Sequence, residues 1–183
     1  YGVIIGVMLS FVAVIIRAVI PPKAFLGVIP GHKNFYNLKR NSSARPICNT
    51  VIYRFSGNLF FGNINAFCQD IEEAIKEDTK QVIVDARGIG NIDMTAAERL
   101  VILSHNLKAS GIHFYLTEHG EGVNDQLRMY DAGTLIEEGA VRRTITLALR
   151  AAGLTRPYPL EGTVEGEAYT YTENDERLAE FVW

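Results

Sequence analysis

Val82 to Ala96 reads VIVDARGIGNIDMTA. With Gln81 in front of it, Val82-Ile83-Val84-Asp85 is a short, almost wholly apolar run, the pattern of a strand covered on both faces. From Met94 the period changes. Ala97, Leu100, Val101, Leu103, Ser104 and Leu107 fall on one helical face, so a helix is expected from Met94 to Ala109, closed by Ser110-Gly111. A covered strand followed by an amphipathic helix is one unit of an α/β fold.

The same alternation extends in both directions. Upstream, Thr50 to Phe55 (TVIYRF) is rich in β-branched and aromatic residues and stops at Ser56-Gly57, which marks a strand and its end. Ile64, Phe67, Ile71, Ala74 and Ile75 then recur at spacings of three and four, opposite Asp70, Glu72, Glu73, Lys76 and Glu77, which predicts an amphipathic helix. Downstream, a strand is expected over 112–117 and a helix over 123–130, ended by Asp131-Ala132-Gly133. A short edge strand is expected within 134–141, and a last helix over 144–152, closed by Gly153. The reading is a mostly parallel sheet of four or five strands covered by about four or five helices.

Tyr1 to Ile20, YGVIIGVMLSFVAVIIRAVI, is apolar up to its first charge at Arg17. About 17 to 20 such residues are long enough to cross a hydrocarbon layer of about 30 Å as a helix. A secretory signal would carry its positive charge before the apolar run and a small-residue cleavage site after it. Here Arg17 and Lys23 follow the run, and Pro21-Pro22 stands where the cleavage site would be. A buried core helix is the competing reading. With no initiator Met, the chain is expected to be a fragment. Arg17, Lys23, Lys33, Lys39, Arg40 and Arg45 all follow closely, and flanks rich in Lys and Arg stay cytoplasmic, so the remainder is expected in the cytosol.

About 160 residues remain after that helix, enough for one domain with a single core. The net charge of -3 conceals an asymmetry: 157–183 holds seven acidic residues against the single base Arg177. No basic stripe with interleaved aromatics occurs, so no nucleic-acid partner is expected. Cys48 and Cys68 are the only cysteines, too few for a disulfide framework, and both are expected as buried, inert thiols. Gly27 to Lys33 lacks the spacing of a phosphate-binding loop, and the four histidines show no zinc spacing, so no catalytic residue, metal or cofactor is expected.

Three pieces in chain order carry a resemblance: Leu26 to Gly31 (LGVIPG) after the apolar helix, Asn58 to Asn63 (NLFFGN) between first long strand and first helix, and Val82 to Ala96. Together they resemble the cytosolic STAS domain that ends the SulP anion permeases, over about residues 1 to 153. The resemblance implies a STAS-like fold, with 1–22 as the end of the last transmembrane helix, 23–153 as the cytosolic domain and 154–183 as an acidic tail. Pro46-Ile47-Cys48 replaces the Pro-Gly of many relatives. The direct join from Ile75 to Gln81, without a long insertion, points to a bacterial-type member.

What the resemblance implies of function is a regulatory or assembly module of a secondary transporter of sulfate, bicarbonate, chloride or a dicarboxylate. The implied partners are the membrane part of the same transporter, a second copy of the chain in a homodimer, and a cytosolic regulatory protein. The implied location is the inner (plasma) membrane, with residues after about 22 on the cytoplasmic side. Two alternatives stand beside it: a signalling switch similar to anti-sigma-factor antagonists, and a nucleotide-binding module without hydrolysis.

In those antagonists the loop entering the second helix bears a phosphorylated Ser or Thr, and Thr95 resembles that acceptor. A phosphate there would meet free backbone N–H groups and the positive end of the helix dipole. The competing structural role is capping: Thr95 and Glu98 fit a Thr-x-x-Glu box, and Asp93 is an alternative N-cap. Asp85, Asp93, Met94 and Thr95 form a candidate ligand or partner-binding loop, since they lie where α/β folds bind ligands and paired carboxylates can share a proton or a cation. Phe60 and Phe61 form a candidate interface, with one of the two expected in the core. Arg142-Arg143 is too short a basic run for lipid recognition, which takes about four or more.

Overall fold

The computed structural model describes residues 1–156 and 158–162. The chain opens with α1 (Gly2–Val19) and turns at Pro21-Pro22 into β1 (Lys23–Val28) and β2 (Phe35–Asn37). It then alternates through β3 (Thr50–Phe55), α2 (Ile64–Ala74), β4 (Gln81–Asp85), α3 (Met94–Ala109) and β5 (His113–Thr117). Three shorter helices follow, α4 (Glu121–Met129), α5 (Thr134–Glu137) and α6 (Ile145–Ala151). Most of the acidic stretch noted in the sequence, from residue 163 onward, lies outside the described residues.

The strands form one mixed sheet in the order β2-β1-β3-β4-β5. β3, β4 and β5 are parallel, with Ile52 beside Ile83 and Ile83 beside Tyr115. That is the arrangement the alternation of strands and helices required. β1 and β2 extend one edge in the antiparallel sense, with Phe25 opposite Tyr53 and Gly27 opposite Tyr36. Neither strand follows from the periodicity. Gly27 interrupts the apolar alternation of β1, and it does so because a Cβ there would stand 2.5 Å from the Arg45 carbonyl oxygen.

Every residue of β4 is buried, so alternate side chains feed two different cores. Val82 and Val84 point to the face carrying α2, α3, α4 and α5, where Phe67, Ile71, Leu100 and Leu127 are fully enclosed. Ile83 points the other way, to Ile52, Tyr115 and α6, with Ile145, Ala148 and Leu149. Tyr158 and Leu160 complete this second core, and Ile47 and Leu160 form an antiparallel bridge. The aromatic residues Tyr53, Phe55 and Phe67 pack mutually at centroid distances of 5.3 to 6.3 Å.

One expected element is corrected. Residues 134–141 hold no named strand: Thr134–Glu137 is the helical turn α5, and the chain meets the sheet after it in a single parallel bridge of Val141 to Leu116, bonded through the Ala140 carbonyl and the Arg142 N–H. The apolar residues Leu135 and Ile136 pack against the α3 side of the core through that turn, and Gly139 leaves it with φ 75°, which ends any extended run.

The start of α3 decides between the two capping schemes. Asp93 is the N-cap, its Oδ1 accepting from the Ala96 N–H at 2.7 Å. Thr95 is the second helical residue, exposed, and takes no part in the cap. Asp93→Ala should therefore lower stability by about 1–2 kcal/mol, whereas Thr95→Ala should stay within about 0.5 kcal/mol, both read from urea titrations. A second expectation concerns Cys68, buried on α2, where burial pushes the thiol from 9.0 up to about 11, with a smaller opposing effect of Arg99. The unfolded chain releases this proton first as pH rises, so the contribution is whole below about pH 9 and is lost by about pH 11. Stability should decline over that window, and the decline should be shallower in Cys68→Ala.

Candidate functional site

The loop after β3 and the loop after β4 meet at the carboxyl-terminal edge of the parallel strands. The Leu59 N–H donates to the Asn91 carbonyl and the Asp93 N–H to the Leu59 carbonyl, each at 3.0 Å, so the two loops pair like a short parallel ladder. Leu59, not either phenylalanine, is the side chain this loop sends into the core. Phe60 is half-buried and Phe61 is 72% exposed, which corrects the expectation that one of the pair is a core plug. The two rings meet edge to face at 5.5 Å.

Asp93 serves both loops at once. While Oδ1 caps α3, Oδ2 accepts from the Phe61 N–H at 2.9 Å. A carboxylate receiving two backbone N–H groups is a charge-assisted clamp, stronger than neutral pairs. On the other side of the loop, Ile92 donates its N–H to Gln126 Oε1 at 2.8 Å, and Gln126 Nε2 donates to Asn91 Oδ1.

Asn63 carries the connection onward to α1. Its amide is buried; Oδ1 accepts from the Phe60 N–H at 3.0 Å and Nδ2 donates to the Asn58 carbonyl at 2.8 Å. The same Nδ2 reaches the Ala18 carbonyl at 3.4 Å, one of those the end of α1 leaves without a helical partner. Pro22 completes the seam by accepting from the Ser56 N–H at 2.9 Å. Two close approaches hold it shut: a Cβ on Gly57 would stand 2.6 Å from Pro21 Cβ, and one on Gly88 would stand 2.6 Å from Ser56 Cα. Between α1 and these loops lies an open cleft of about 460 Å³, with Arg17, Pro22, Asn58, Phe60 and Asp93 among its walls.

The predicted residues are thus partly brought together. Phe60, Phe61, Asp93, Met94 and Thr95 share this junction, with Met94 and Thr95 exposed on the first turn of α3. Asp85 is engaged elsewhere. It is fully buried at the end of β4, where Oδ2 pairs with Arg54 Nε at 2.8 Å and Oδ1 accepts from the Arg87 N–H at 3.1 Å. A carboxylate so neutralised offers no second acid to Asp93. Among the described residues no group of three or more His, Cys, Asp or Glu is placed to hold a metal ion. The part that Asn63 and Pro21-Pro22 play in this seam was not read from the sequence, although Asn63 ends the quoted NLFFGN segment and an Asn just before a helix is a recognisable signal.

α1 stands apart from the two cores. None of its 18 residues is buried, and its mean hydropathy of 2.5 makes it long and apolar enough to cross a membrane. A soluble core helix would hide one face, which this helix does not.

Comparison with known proteins agrees with this architecture. The family model described as the STAS domain matches residues 41–150. A probable sulfate transporter of Mycobacterium tuberculosis is 26% identical over 154 residues, which make up 82% of this chain and 28% of the relative. Probable sulfate transporter 4.2 of Arabidopsis thaliana is 29% identical over 134 residues, covering 67% of this chain and 20% of the relative. The chain therefore spans between a fifth and three tenths of the length of these relatives. Among solved structures, the murine Solute Carrier 26 family member A9 anion transporter superposes with a TM-score of 0.72 at 22% identity, over 84% of this chain and 25% of that one. A sulfate transporter family protein from Wolinella succinogenes superposes at 0.50 with 23% identity, over 57% of this chain and 85% of that one. With the family model spanning well over half of the chain, the chain belongs to the STAS domain family.

Proposed function

We propose that this chain is the regulatory and assembly domain of a secondary anion transporter of the SulP type, joined to the last of its membrane helices. Residues 1–22 are the end of that helix, 23–153 the domain in the cytosol beneath the inner (plasma) membrane, and the transported ion is sulfate, bicarbonate, chloride or a dicarboxylate. The observation that carries the reading is the seam at Ala18, Pro22, Ser56 and Asn63: an apolar helix with no buried residue and the loop after β3 are bonded directly. Relatives named as sulfate transporters support the parent's class. In this arrangement the domain contacts its own transporter's membrane part, pairs with a second copy, and acts on transport through position, since substrate choice belongs to the membrane unit.

A second reading, a phosphorylation switch that engages a cytosolic regulatory protein, draws support from Thr95, whose hydroxyl is exposed and left unused by the cap. Under this reading, ATP and cell extract produce a retarded band on a phosphate-affinity gel that is absent in Thr95→Ala; an identical pattern for both chains rules it out.

Two measurements test the main reading. In intact spheroplasts expressing the parent protein, trypsin should leave the Lys33 to Arg45 region uncut until the membrane is permeabilised; cutting without permeabilisation would contradict the cytosolic placement. In proteoliposomes, Asn63→Ala in the parent transporter should lower the rate of labelled anion uptake severalfold while leaving the ratio between competing anions unchanged. A changed ratio would assign this domain a part in substrate choice and overturn the regulatory reading.

A further inference from the structure

β1 and β3 part halfway along the sheet. Their ladder runs from Lys23 opposite Phe55 to Phe25 opposite Tyr53 and stops there, while β1 continues to Val28, paired with β2 and bonded at Val28 to Arg45. Thr50, Val51 and Ile52 are therefore laddered to β4 alone. The gap is a cavity of about 310 Å³ with chiefly apolar walls, Phe25, Leu38, Pro46, Val51 and Ala74 among them. Pockets for small ligands start at about 300 Å³, so this one has room for one or two large side chains of a peptide and none for a folded domain. It lies at the opposite end of the domain from the seam with α1. Thr50 stands at the cavity and Ser56 at the seam, six strand residues or about 20 Å apart. Likewise Ala74 ends α2 at the cavity, whereas Asn63 opens it at the seam.

One segment of the chain is already bonded to the rim. Leu160 bridges to Ile47, the Glu161 N–H donates to the Pro46 carbonyl at 2.9 Å, and the Glu161 carboxylate pairs with Lys76 at 3.2 Å. Gly162, with φ 82°, turns the chain at this point. The residues that follow, 163–183, carry six acidic side chains against the single base Arg177, and Leu178 to Trp183 (LAEFVW) sets Leu178, Phe181, Val182 and Trp183 close together in the sequence. The rim offers the complementary charge in Lys76 and in Lys39, which is exposed and makes no ion pair among the described residues. A ligand joined to its site through the same chain acts at an effective concentration of about a millimolar, an advantage that no separate partner shares.

We infer that the segment 163–183 folds back onto this cavity, apolar side chains of Leu178 to Trp183 filling it and acids of the segment meeting Lys39 and Lys76. The pair between Glu161 and Lys76 is the first contact of that surface. So seated, the segment closes the gap between β1 and β3 and occupies a site that an acidic, aromatic peptide from elsewhere has to win from it. The inference stands whether or not α1 crosses a membrane.

Trp183 is the only tryptophan, so its fluorescence reads the segment directly. The test uses the whole chain in nanodiscs of phosphatidylcholine and phosphatidylglycerol, one chain to a disc, which removes docking between copies. Trp183 should emit blue-shifted relative to the chain in urea and be shielded from acrylamide. Ala74→Glu, which puts a carboxylate into the cavity, should return the emission to its position in urea and raise acrylamide quenching severalfold. Lys39→Glu combined with Lys76→Glu should move both readings the same way, while Lys108→Glu on α3 should leave them unchanged. Urea midpoints report whether each variant is folded; if Ala74→Glu lowers its midpoint, the exposed lysine pair decides. Three results overturn the proposal: a Trp183 as accessible in the unmodified chain as in urea, a shielded Trp183 that brominated lipid quenches, which assigns the segment to the bilayer, and a shielded Trp183 indifferent to the cavity and lysine variants, which places it elsewhere on the domain.

Discussion

A single carboxylate organises the edge of this domain. Asp93 receives one N–H from the loop after β3 and one from the first turn of α3, so the ends of two neighbouring parallel strands are held in one register relation. Without it, the Asn58 to Asn63 loop would be tied to its neighbour only through the backbone of Leu59. That loop carries Asn63, and Asn63 carries the bond to α1. The placement of α1 against the domain thus draws on Asp93 through Asn63, alongside the Ser56–Pro22 bond and the short Pro21-Pro22 connection. Short hydrogen bonds to an anion suit this task because they fix direction as well as distance.

The two acids that sequence reasoning grouped together are divided by the pleat of the sheet. Asp85 follows Ile83 on the α6 side and is neutralised there by Arg54. A charge with no solvent contact is costly unless paired and hydrogen-bonded, and the Arg54 guanidinium and Arg87 N–H meet that requirement. Asp85 is best understood as the anchor of the strand end, while Asp93 governs the loops. The more exposed pairs nearby, such as Arg87 with Glu118 at 3.5 Å, add little to stability.

The alternating core was legible because its physics is local. Gln81 to Asp85 reads as covered on both faces, and it is; the threefold and fourfold spacings over 64–75 and 94–109 name the helical faces that do meet the sheet. What escaped the sequence depends on contacts between distant segments. β1 and β2 are defined by pairing across the sheet, with Phe25 opposite Tyr53 and Gly27 opposite Tyr36, and Gly27 masks the period of β1. Leu135 and Ile136 look like half a strand until the positive φ of Gly139 turns the chain. Phe60 and Phe61 are the largest apolar side chains of their loop, yet the smaller Leu59 is the one directed inward, since its backbone pairs with the next loop. The choice between Asp93 and Thr95 as cap turned on which residue also had a second donor to satisfy, and Phe61 supplies that donor from 32 positions away.

Only Ile20, Pro21 and Pro22 separate the last residue of α1 from the first of β1. Each proline locks its own φ and restricts the residue before it, so this connection has almost none of the slack of a Gly/Ser tether. Twisting the apolar helix about its long axis is therefore not absorbed between the two parts. It is delivered as torque to β1, and through β1 to the strand beside it. The domain behaves as a vane on a shaft: its bearing reports the angular setting of the helix above it, and a force applied to the vane turns the shaft.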